Sequence, residues 1–153
     1  MFRAALSLLL LGLLAPLAGA ADASVVAFSQ VEIAPTKTSI YVGSVSLTMP
    51  AFTRAEGSYT SRYTAHVFPW AFYNEAGVIR VDVSDDQLRQ LARGEPIEFT
   101  GQARTEDGSE RRVAGKATPQ DATSGRIKVR VFVSTRIQLI FNTTYRFPPA
   151  VAK

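Results

Sequence analysis

The feature that most constrains this chain is an apolar pattern of period two. In RIKVRVFVS (126–134), Ile127, Val129, Val131 and Val133 share one face, and Arg126, Lys128 and Arg130 share the other. Successive side chains of a strand point to opposite faces, so such a run has one buried and one wet side. VIRVDV (78–83) sets Ile79, Val81 and Val83 against Arg80 and Asp82, and SYTSRYTAHVF (58–68) puts Tyr59, Ser61, Tyr63, Ala65 and Val67 on one face. IEFTGQART and SERRVAGKAT flank Glu106-Asp107-Gly108. Asp-Gly between alternating runs is a strong hairpin signal. SIYVGSVSL (39–47) reads as a strand with Ile40, Val42, Val45 and Leu47 inward, interrupted by a bulge or change of face at Gly43. Val25–Ile33 and RIQLIFNTTYRF (136–147) complete the set.

One segment departs from period two. SDDQLRQLARGEP (84–96) offers Ser84 as N-cap with Gln87 three residues on, acids at 85 and 86, Gly94 after the last turn and Pro96 beyond. Leu88 and Leu91 give it a narrow apolar stripe. The expected fold is therefore all-β and mainly antiparallel, a small β-sandwich or partly closed barrel with one short amphipathic helix.

MFRAALSLLLLGLLAPLAGA carries one basic residue, an apolar run, Pro16 and small residues at 18–20, the form of a secretory signal peptide. The expected organisation is a leader over 1–20, one β-rich domain over 21–147 and a disordered tail over 148–153, exported to the periplasm or secreted. The apolar run is shorter than the ~20 residues a spanning helix needs, and no transmembrane segment is expected after cleavage. The chain has no cysteine, which removes thiol nucleophiles and zinc–thiolate sites. Its net charge of +4, reduced by one when Arg3 leaves with the leader, is too small to argue for nucleic acid.

His66 is the only histidine, and nothing in the sequence supplies the partners a triad or zinc site would need. The carboxylates are scattered, mostly beside turns or at the helix start. No catalytic, metal or cofactor constellation is visible, and a non-enzyme is expected. Two groups remain. HVFPWAFYNEAG (66–77) concentrates Phe68, Trp70, Phe72 and Tyr73 around Pro69. These rings either plug the core or line a ligand site or exposed patch. The plug reading has a specific target, the small-residue face made by Gly101, Ala103, Gly115 and Ala117. On the pocket reading, Trp70 and Phe72 would join Phe99 and Leu88 around one cavity. The second group is a basic stripe of Arg112, Lys116, Arg126, Lys128 and Arg130, suited either to a solvated face or to an anionic surface.

IEFTGQARTEDGSERRVAGKAT (97–118) is similar in style to a hairpin of the exported YceI-like lipid-binding barrels. The resemblance is confined to these residues, implies a ligand barrel and assigns no role to any side chain. The leading functional expectation is a non-catalytic β-domain acting by binding or structural association in the cell envelope or extracellular space. The alternative is a small barrel holding an apolar or amphipathic, lipid-like ligand near Trp70.

Overall fold

The computed structural model describes residues 28–149. The leader, its cleavage point, Val25, Val26 and residues 150–153 lie outside the described residues.

The described residues form a closed, eight-stranded antiparallel barrel with one α-helix. Its strands are β1 (Gln30–Ile33), β2 (Thr36–Ile40), β3 (Gly43–Thr48), β4 (Phe52–Ala55), β5 (Ser58–Phe68), β6 (Glu75–Asp82), β7 (Ile97–Thr105), β8 (Glu110–Pro119), β9 (Ser124–Phe132) and β10 (Gln138–Arg146). Two of the eight staves are broken in the middle. Gln30 pairs with Thr53 and Thr36 with Leu47, so β1–β2 and β3–β4 form one long hairpin in a single register. Each arm is interrupted at a proline, Pro35 or Pro50, which has no N–H for the ladder. One edge of β5 carries both β3 and β4, and its other edge carries β6. From β6 the sheet runs in sequence order to β10, which pairs with β1. That pairing leaves the main sheet without a free edge, and so decides for a barrel over a sandwich.

The alternation is apolar inward. Val45, Leu47, Tyr59, Tyr63, Ile79, Ile97, Phe99, Val113, Phe141 and Tyr145 are buried, and the intervening Arg80, Arg112, Lys116, Lys128 and Arg130 are exposed. SIYVGSVSL is not one strand. Tyr41 and Val42 form the turn between β2 and β3, so Val42 is exposed rather than inward. Gly43 is at φ 117°, and a Cβ there would stand 1.9 Å from the Phe68 carbonyl oxygen. It therefore marks a hairpin end, not a bulge.

One end of the barrel is filled. The helix α1 (Asp85–Ala92) starts in a capping box: Gln87 N–H donates to Ser84 Oγ at 3.2 Å, and Ser84 N–H to Gln87 Oε1 at 3.0 Å. The helix buries Leu88 and Leu91 against the barrel. Arg54 ties its start to β4, donating to Val83 O at 3.0 Å and pairing with Asp85 at 2.8 Å. Phe28, Tyr145 and Phe147 stack edge-to-face at this end, and Tyr59 donates its hydroxyl to Phe28 O at 2.6 Å. Burial pushes the Tyr59 phenol well above its ordinary range.

Candidate functional site

The opposite end is hollow. Its rim comprises the turns β2–β3, β5–β6, β7–β8 and β9–β10. Inward-facing residues shrink towards it: Tyr59 and Tyr63 on β5 give way to Ala65 and Val67, and β7 passes from Ile97 and Phe99 to Ala103. A cavity of about 770 Å³ results, within the ~300–1,000 Å³ range of small-molecule sites. Leu47, Ile79, Val113, Val131 and Phe141 line its depth, and these same side chains border a smaller void of about 90 Å³ towards the helix end. Protein interiors are close-packed, and unfilled apolar space costs stability.

Three of the four turns at the mouth carry exposed apolar side chains, although the β9–β10 turn also carries Ser134, Thr135 and Arg136. Tyr41 and Val42, then Phe68, Trp70, Phe72 and Tyr73, then Ile137 are all exposed. The fourth turn carries Glu106 and Asp107. The Asp107 carboxylate accepts hydrogen bonds from the Thr105 hydroxyl and Ser109 N–H. These hold its pKa down at about 2.

Residues 68–73 are thus not a core plug. Trp70 is 43% exposed and Phe72 is 74% exposed. At Gly115 the small-residue face is covered instead by Phe99, which pairs with it across the β7–β8 ladder and lays its ring over the glycine, while Ala103 lines the open cavity. Period two could not show this, because it gives a residue's face but not its height along the barrel. Nor do Trp70, Phe72, Phe99 and Leu88 share one cavity. Trp70 and Tyr73 line the open one, Phe99 and Leu88 border the void at the filled end, and Phe72 borders neither. Phe72 lies beside its neighbours, with ring centroids 4.5 Å from Tyr73 and 6.0 Å from Trp70.

Sequence reading missed the polar cluster in the cavity wall. Tyr63 donates its hydroxyl to Glu75 Oε1 at 2.6 Å, and Arg111 donates from Nη2 to Glu75 Oε2 at 3.2 Å. The register pairs Tyr63 with Gly77, Ala65 with Glu75 and Ala103 with Arg111, bringing all three polar side chains to the same end of the barrel interior. Burial, and then the bond to Glu75, push the Tyr63 phenol above its ordinary range, so it remains a neutral donor. The available signal was parity: Arg111 shares the face of Val113, and Glu75 that of Ile79. His66 faces outward, opposite Ser46 on the neighbouring strand.

The basic stripe is assembled on the outer wall. Lys116 stands directly opposite Lys128, Ala114 opposite Arg130, and Thr118 opposite Arg126. Arg112 lies over the Phe132 ring at 4.2 Å. Among the described residues, none of Arg112, Lys116, Arg126, Lys128 and Arg130 has an ion-pair partner.

No protein-family model matches the chain, and neither a curated protein nor a solved structure shows significant similarity to it.

Proposed function

We propose that this protein is an exported, non-catalytic barrel that binds an apolar or amphipathic, lipid-like ligand in the cavity beside Trp70. The observation that carries this reading is the coincidence of an apolar cavity of about 770 Å³ with a mouth of exposed aromatic and aliphatic side chains. Exposed apolar patches on soluble proteins tend to mark interaction sites, and this one surrounds a space large enough for a small molecule.

Trp70 supplies the probe, because it lines the cavity. Titration with long-chain amphiphiles should shift or quench its emission, and native mass spectra of detergent-free protein should show a retained lipid. Ala103→Phe places a ring in the cavity wall and should abolish both signals while leaving the far-UV CD spectrum unchanged. An emission spectrum unmoved by every amphiphile, together with ligand-free mass spectra, would sink the proposal.

A second reading concerns the outer wall and is compatible with the first. Like charges directly opposite one another across strands are unfavourable, and Lys116 and Lys128 are paired in that way, with Glu98 opposite Lys116 on its other side. In this reading the stripe contacts an anionic component of the cell envelope. Salt-sensitive binding to vesicles containing acidic lipid, lost in Lys116→Glu/Lys128→Glu, is expected. Equal binding to neutral vesicles argues against it.

A further inference from the structure

We infer that the cavity selects an uncharged amphiphile whose hydroxyl-type head sits on the Tyr63–Glu75–Arg111 cluster and whose chain runs down into the barrel. This rests on the cavity being the ligand site, and narrows the class of ligand.

Among the described residues, Glu75 and Arg111 are the only charged side chains lining the cavity. They are mutually paired, and both are shielded, with side-chain exposures of 28% and 21%. Glu75 and Arg111 therefore offset each other within the lining, and the Asp107 carboxylate acts on Arg111 and Tyr63 from outside it. Each Glu75 oxygen already accepts one protein donor, leaving further acceptor capacity on a carboxylate. Arg111 spends one Nη2 bond on Glu75, and among the described residues its other N–H groups have no partner. The wall thus offers spare donors and a spare acceptor side by side. A ligand hydroxyl matches both, since it accepts from Arg111 and donates to Glu75.

Charged heads fit less well. A carboxylate or phosphate would gain Arg111 but face Glu75 and leave net negative charge in a shielded site. An ammonium would meet Arg111 in the same way. Uncompensated charge removed from water is costly, whereas a neutral polar group needs only its hydrogen bonds satisfied. Below the cluster, Leu47, Ile79, Val113, Val131 and Phe141 offer nothing polar. A hydrocarbon chain there would take up the cavity and approach the void beneath it.

The test is a matched series of dodecanol, dodecanoate, dodecylammonium and dodecane, titrated against Trp70 emission at neutral pH. Dodecanol should bind tightest, by about tenfold or more over either charged analogue, a difference of ~1.4 kcal/mol. Glu75→Gln removes the negative charge while keeping the shape, and should turn the preference towards dodecanoate. Tyr63→Phe releases one donor from Glu75 but leaves both charges in place, and should keep the preference for dodecanol over both charged analogues. Dodecanoate binding as tightly as dodecanol, dodecane matching dodecanol, or a Glu75→Gln protein with unchanged preference would each overturn the inference and leave the cavity as a ligand site. Failure of all four compounds to bind would remove the ligand-site reading with it.

Discussion

Gly115→Ala tests the packing argument at its tightest point. Gly115 on β8 faces Phe99 on β7. A Cβ added there would lie 2.3 Å from Phe99 Cζ, 2.7 Å from Phe99 Cε2 and 2.8 Å from the Lys128 carbonyl oxygen. Favourable carbon–carbon contact needs ~3.5–4.0 Å, so the overlap with the ring exceeds an ångström. The ring is buried in the same core cluster as Leu88, Leu91, Ile97, Val113 and Ala117, so a shift that clears the new methyl must repack those neighbours. Lys128 O belongs to the β9 backbone, and moving it disturbs the β8–β9 ladder. Overpacking of this kind costs about 1–3 kcal/mol, and the two-sided clash places Gly115→Ala in the upper part of that range. With a urea m-value of ~1–3 kcal/mol/M for a domain of this size, the midpoint should fall by about 1 M. The double-mutant cycle with Phe99→Leu separates the two walls. Shortening the ring should reduce the cost of Gly115→Ala without abolishing it, because the Lys128 contact persists, and the coupling should reach at least ~0.5 kcal/mol. A Gly115→Ala protein within ~0.5 kcal/mol of the parent, or a cost unchanged by Phe99→Leu, would refute the account.

Three further outcomes are expected. Trp70→Ala should cost roughly 0.5–1.5 kcal/mol, the scale of a lost aromatic contact, and a loss of ~3–5 kcal/mol in urea unfolding, typical of an emptied core site, would return Trp70 to the interior. Ser84→Ala should cost about 0.5–2 kcal/mol, because Gln87 N–H loses its acceptor at the helix start; an unchanged unfolding midpoint would count against the cap. Asp107 titrates in the folded state near 2, below its ordinary 3.8, so its turn contributes stability above the ordinary value and loses it as pH falls through about 2. Parent and Asp107→Asn should therefore differ in thermal midpoint at neutral pH and converge between about pH 4 and 2, and an NMR titration of the Asp107 carboxyl with a midpoint at or above 3.8 would contradict the hydrogen-bonded geometry.

What could be read from the sequence was local, and what could not be read depended on register. The capping box at Ser84 and Gln87, the turn at Asp107-Gly108, and the inward faces of β5, β7 and β9 each involve residues a few positions apart, so spacing alone specifies them. The Glu32–Arg146 ion pair at 2.6 Å joins residues from opposite ends of the described chain, and no local pattern announces the β1–β10 closure it accompanies. The cavity lies on the same boundary. Each strand, taken singly, shows only an inward face of mixed size: Tyr59, Tyr63 and Ala65 on β5, or Ile97, Phe99 and Ala103 on β7. Because successive strands run in opposite directions, the small residues of β5 and β7 gather at one end of the barrel only once the register is fixed. At the other end, Phe99 over Gly115, Tyr59, Tyr145 and Phe147 fill the interior. The same registers place Glu75 and Arg111 where the small residues leave room, in a cavity whose other lining side chains are aliphatic or aromatic. Two charged side chains on inward faces would look like errors in either strand read alone. Read together across the barrel, they neutralise each other beside the space that aliphatic side chains leave empty, and that pairing is why the ligand argument turns on a neutral head.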